Sequence, residues 1–124
     1  MKQFFNLTPG MERWRNAEEH PEGVSAYNYI LPSDAMPDLG DTSEESDPLL
    51  RVKLFDPAGS WTWYLSEFDG EDEAFGYVQG FENEFGYISL NELALVRGRM
   101  GLPIERDLHW TPKRLSEIQA KERR

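Results

Sequence analysis

The chain has 124 residues, a net charge of −10 and no cysteine. This fits one domain whose core needs no staples, and it excludes a disulfide framework, a thiolate zinc site and a cysteine nucleophile. No apolar run is long enough to span a membrane, and the start, Met1-Lys2-Gln3-Phe4-Phe5-Asn6-Leu7, lacks the long apolar core of a signal peptide, so a cytoplasmic protein is expected.

In chain order, residues 1–30 read as an N-terminal extension. Phe4, Phe5, Trp14, Tyr27 and Tyr29 are scattered there without a clean period, and a short helix is expected over residues 9–19, capped by Thr8. Residues 31–124 read as a single α+β domain. It opens with a loop rich in Pro, Asp, Ser and Glu and one helical turn after Ser33. An acidic loop at residues 40–48 is expected to be mobile. Leu50, Val52 and Leu54 alternate with Arg51, Lys53 and Phe55, a strand signal. Asp56-Pro57-Ala58-Gly59 is turn chemistry, and residues 61–68 form a second strand dense in aromatic residues.

Asp69-Gly70 favours a tight turn into a third strand over residues 74–80. Phe81-Glu82-Asn83-Glu84 turns the chain into a short fourth strand over 86–88. Ser89 with Glu92 three places on predicts a capped helix over 90–97, stopped by Gly98. Residues 102–110 should be extended, and a last helix should run over 112–121 with Leu115 and Ile118 as apolar anchors. The fold class is therefore α+β: an antiparallel meander of about four to five strands packed by two or three short helices.

Strand alternation sorts the side chains into two faces. One carries Val52, Leu54, Trp61, Trp63, Leu65, Val78 and Ile88, with the helix near Leu93 over it. The other carries Phe55, Tyr64, Phe68, Phe75, Tyr77 and Tyr87, too aromatic for plain solvent surface. Either the N-terminal segment or a partner protein should cover it, which makes these six residues candidates for partner binding.

The polar candidates are weaker. In an extended run, Glu105, Asp107 and His109 share a side, and Glu67 and Asp69 form a carboxylate pair at a strand end. Side chains along one side of a strand converge poorly on one ion. Arg106 is instead expected to pair with an acid such as Glu67 or Asp69 as a structural bridge that fixes this strand to the sheet. No residue is assigned to catalysis, and neither a metal nor a cofactor is expected.

The acids concentrate between Asp41 and Glu84, opposed there only by Arg51 and Lys53, while cations return from Arg97 onward. Direct nucleic-acid binding through the middle of the chain is therefore not expected. Two rival functions follow from this chemistry. One is an acidic mimic of DNA that blocks a nucleic-acid-binding protein. The other is a small enzyme with a carboxylate and arginine site.

Several motifs run in the order of one known family: Val52-Lys53-Leu54-Phe55, Trp61-Thr62-Trp63-Tyr64, Glu67-Phe68-Asp69-Gly70, Phe75-Gly76-Tyr77-Val78, Gly86-Tyr87-Ile88-Ser89-Leu90 and Gly101-Leu102-Pro103-Ile104-Glu105-Arg106-Asp107-Leu108. Over roughly residues 31–115 the chain resembles the uncharacterised bacterial family catalogued as domain of unknown function 2958. The resemblance implies association with plasmids and other mobile elements, and no activity, substrate or catalytic residue; in that setting the DNA mimic would act on a host defence protein, of the anti-restriction or anti-CRISPR kind. The resulting expectation is a non-enzymatic protein-interaction module, an accessory protein of a bacterial mobile genetic element.

Overall fold

A computed structural model describes residues 29–123. The helix expected over 9–19, and any cover provided by Phe4, Phe5 or Trp14, lie outside the described residues. The fold is α+β and mostly β. Strands β2 (Val52–Phe55), β3 (Thr62–Phe68), β4 (Glu73–Gln79) and β5 (Asn83–Ser89) form an antiparallel meander, as the alternation and turn signals predict. A short strand, β6 (Glu105–Arg106), adds to β2, giving the sheet order β5-β4-β3-β2-β6. A separate two-stranded ladder joins β1 (Leu49–Leu50) to β7 (Lys113–Arg114). Two α-helices, α1 (Leu90–Leu93) and α2 (Leu115–Glu122), complete the fold.

Local chemistry explains the β3–β4 turn and the start of α1. At the β3–β4 hairpin, Asp69 Oδ1 accepts from the amides of Glu71, Asp72 and Glu73 at 2.8, 2.8 and 3.1 Å, while Gly70 takes a φ of 90°. Ser89 caps α1 by accepting from the Glu92 amide at 3.2 Å. The carboxylate of buried Asp72 shares that cap, accepting from the Asn91 amide at 2.7 Å and from the Ser89 hydroxyl at 2.9 Å.

Three expected elements after β5 differ in extent. The helix expected over 90–97 stops at Leu93, because Arg97 leaves the helical path for a β-bridge to Pro103. The extended run expected over 102–110 is a strand only at Glu105–Arg106. Asp107 Oδ1 accepts from the His109 amide at 2.9 Å and folds the chain into a turn. The last helix starts at Leu115 rather than at residue 112, since Lys113 and Arg114 pair with β1.

The first face of the sheet is core. Val52, Leu54, Trp63, Leu65, Ala74 and Ile88 pack with Leu90, Leu93 and Ala94 of the α1 region, with Ile104, and with Tyr29 and Ile30. Trp61, Val78 and Phe68 pack against this cluster. The placement of Phe68 corrects the expected face. The β3–β4 register shifts between Leu65 and Glu67, so Ser66 is an extra residue, and the bulge turns Phe68 to the first face and Glu67 to the second.

The second face has its own core of Leu50, Tyr64, Tyr77, Leu115 and Ile118. Its cover, among the described residues, is α2. The last turn of α2 is clipped to the sheet. Glu122 accepts from the Tyr77 hydroxyl at 2.9 Å, from Gln79 Nε2 at 2.6 Å and from Asn83 Nδ2 at 3.1 Å.

Candidate functional site

The six aromatic candidates separate by place. Tyr64 and Tyr77 are buried beneath α2, Phe68 faces the opposite core, and Phe55 is half-buried near the β6 side of the sheet. Burial pushes the Tyr64 and Tyr77 hydroxyls above the usual tyrosine range, and the Glu122 carboxylate adds to both shifts. Phe75 and Tyr87 remain at the open end of the sheet, joined there by Phe85.

Phe85 is the residue that sequence reasoning missed. Asn83 and Glu84 have turn composition, so the sequence predicts a fourth strand that begins at Gly86. In fact β5 runs from Asn83, and Phe85 sits two places before Tyr87 on the same face. Its ring lies 5.4 Å from Phe75, nearly parallel at 16°, and 5.3 Å from Tyr77. Tyr87 lies 4.9 Å from Phe75. With Tyr64 6.5 Å from Tyr77 and 5.2 Å from Trp110, the rings make one row across the second face. Its inner end is sealed. Its outer end is Tyr87, 65% exposed on a terminal strand.

Two grooves meet at this edge. On the second face, a cavity of about 320 Å³ lies between Phe75, Phe85 and Tyr87 and the loop carrying Gly40, Thr42, Glu45 and Pro48. On the first face, a groove of about 430 Å³ is lined by Trp63, Val78, Gly86, Ile88, Leu93 and Val96, with Glu84 and Glu92 at its polar margin. Strand β5 is the wall between them.

The acidic loop, expected to be mobile, is pinned at both ends. Glu67, aimed at it by the bulge, accepts from the Gly40 amide at 2.7 Å, from the Thr42 amide at 2.8 Å and from the Thr42 hydroxyl. At the far end, Asp47 caps α2 through the Ser116 amide at 2.7 Å and hydroxyl at 2.8 Å, which holds its carboxyl below the usual aspartate range. Burial of Glu67 works against its ionisation, but the bonds from Thr42 and Gly40 outweigh it and hold the carboxyl below the usual glutamate value.

A depressed folded-state value adds stability above the unfolded glutamate pKa, and that stability is lost as pH falls through the folded value. Glu67→Gln is therefore expected to cost about 2 kcal/mol at neutral pH, from weakened charge-assisted bonds. The difference should shrink as the solution is acidified below the usual glutamate range. Urea melts of both proteins across a pH series check this; a constant difference would contradict it.

The polar candidates do not converge. Glu67 holds the loop and Asp69 caps its own turn. Arg106 pairs with neither. Its Nη1 and Nη2 each lie 2.6 Å from an oxygen of Asp34, and Nη1 also donates to the Tyr29 carbonyl at 2.8 Å. Asp107 lies 3.7 Å from Lys53, His109 is exposed on the following turn, and Glu105 pairs in register with Phe55. No cluster among the described residues is arranged to hold a metal ion.

No curated protein and no solved structure matches the chain. The family described as "Protein of unknown function (DUF2958)" matches residues 33–123, the stretch that holds the whole sheet, both grooves and α2. The chain belongs to this family.

Proposed function

We propose that this protein is a non-enzymatic protein-binding module that recognises its partner through the aromatic edge of β5. One observation carries this: Tyr87 stands 65% exposed at the end of a row of contacting rings, on a terminal strand with a groove on either side. Aromatic side chains bring large contact area at low entropic cost, so such clusters concentrate binding energy. The dispersed polar candidates support binding over catalysis, since acid–base chemistry needs groups within reach of one reacting atom. The setting we propose is the cytoplasm of a bacterium, where the protein serves as an accessory to a mobile genetic element. Mimicry of DNA is the weaker reading, because Asp47, Glu67, Asp69 and Asp72 direct their carboxylates to internal hydrogen bonds.

A photo-reactive phenylalanine analogue placed at Tyr87 tests this, with Leu108 (60% exposed, near the opposite sheet edge) as the control position. In extract of the native host, position 87 should give discrete protein adducts and position 108 none. Excess unlabelled protein should compete the adducts away. A Phe85→Ser/Tyr87→Ser variant should not. Equal labelling at both positions, or competition by the variant, would overturn the proposal.

A further inference from the structure

We infer that β5 receives an extended segment of a partner protein as a sixth strand, and that this segment alternates apolar residues with Lys or Arg. The inference rests on the binding role proposed above and names the chemistry of its partner.

The backbone comes first. β5 pairs with β4 without interruption from Glu73↔Ser89 to Gln79↔Asn83, and among the described residues no strand pairs with its other edge. In an antiparallel ladder, alternate residues of such a strand turn both N–H and C=O outward, ready for another strand. Natural edges are usually blunted by charged side chains, by Pro or by a bulge. β5, Asn-Glu-Phe-Gly-Tyr-Ile-Ser, has neither Pro nor a bulge, and its one charge, Glu84, is an acid that favours a basic partner strand.

The side chains come second. Successive residues of an added strand point to opposite faces, so it needs room on both. The two grooves supply it on either side of the same strand. The first-face groove, lined by Trp63, Val78, Ile88, Leu93 and Val96, suits apolar side chains. The second-face cavity sets Phe85 and Tyr87 beside Glu45, a half-exposed carboxylate whose Arg114 contact is long at 3.7 Å, so a Lys or Arg stem can lie on a ring and its charge share that carboxylate.

Charge then fixes the kind of partner. No Lys or Arg occurs between Lys53 and Arg97, so β3, β4, β5 and α1 carry no cation. Glu71, Glu73, Glu82, Glu84 and Glu92 are exposed, and none forms an ion pair among the described residues. A basic segment meets complementary charge there. A second copy of this chain, at −10 per copy, meets repulsion.

The test is a selection of displayed nine-residue random peptides on the full chain. Enriched peptides should alternate apolar residues with Lys or Arg. Their affinity should fall at least tenfold for Gly86→Val, which fills the first groove, and for Tyr87→Ala, which opens the second. Gly86→Val suits this purpose, because a Cβ at Gly86 meets no atom within 4 Å, so the fold can accept it. A thermal melt confirms that both variants remain folded.

Acidic peptides, helical spacing of the anchors or no enrichment would overturn the inference. If peptides of the wrong pattern still lose affinity with Tyr87→Ala, the strand-addition inference fails while the binding edge stands. If the enriched peptides are indifferent to both substitutions, the edge fails as well.

Discussion

Gly76→Ala is expected to destabilise the protein by about 3 kcal/mol, which lowers the melting temperature of a domain this size by about 10 °C. Gly76 sits in β4 opposite Leu65, beside the bulge in β3. A Cβ at this position would overlap the Tyr64 carbonyl oxygen and lie 2.9 Å from the Leu65 Cα. Both belong to the backbone of a central strand whose neighbours Leu65 and Ser66 are buried, so neither can move aside without breaking the ladder. Gly86 is paired with Gly76 across the β4–β5 ladder and serves as the control. Open space lies above it, so Gly86→Ala should be neutral or slightly stabilising, as strand interiors disfavour glycine. Thermal melts of the two variants compare a crowded and an open site in the same ladder. Equal losses would contradict the account of the bulge.

Arg106→Met is expected to cost a similar amount, about 3 kcal/mol, because it leaves Asp34 without its cation. The two side chains are 13% and 9% exposed and meet in bidentate geometry. Their pairing ties the segment around Asp34 to β6, and the same guanidinium holds the Tyr29 carbonyl. Tyr29 donates in turn to the Ile104 carbonyl at 2.7 Å, and burial raises its hydroxyl well above the usual range. Loss of Arg106 should therefore loosen the cover of the first core. A double-mutant cycle in urea separates this from other causes. Arg106→Met with Asp34→Leu should show coupling above about 1 kcal/mol, because the apolar pair no longer strands a charge. Arg106→Met with Glu67→Gln should be additive. Coupling to Glu67 instead would restore the partner expected from sequence.

The meander was legible because period-two alternation and the Asp69-Gly70 turn are local signals. The Ser89 cap was legible for the same reason. The first core face was readable too, since Val52, Leu54, Trp63, Leu65 and Ile88 follow strand spacing without a break. What escaped depends on tertiary structure. Nothing in Thr62-Trp63-Tyr64-Leu65-Ser66-Glu67-Phe68 marks the bulge, yet one extra residue moves Phe68 to the other face and aims Glu67 at the loop. The partner of Arg106 lies 72 positions away, a pairing no local pattern encodes. Loop 40–48 has the composition of a mobile segment. It is ordered because Glu67 and Ser116, both distant in sequence, satisfy its polar groups. The candidate site was half visible for similar reasons. Phe75 and Tyr87 followed from alternation. The sealing of Tyr64 and Tyr77 needed the path of α2, and Phe85 needed the true start of β5.

These corrections narrow the aromatic surface from a whole sheet face to one edge. Glu71, Glu73, Glu82, Glu84 and Glu92 around that edge form no ion pair among the described residues, whereas Asp47, Glu67, Asp69 and Asp72 are engaged in caps and latches. The acidity of the chain thus has two roles: one set of carboxylates builds turns and helix ends, and another surrounds β5.

The most direct measurement of the central claim is a ¹⁵N–¹H titration of the full chain with a synthetic peptide alternating Val and Lys. The account predicts shift changes that run through residues 83–89, extend to the Trp63 indole on one face and to residues 40–46 on the other, and slow the exchange of the β5 amides. Changes centred on residues 105–114, with β5 unmoved, would contradict it.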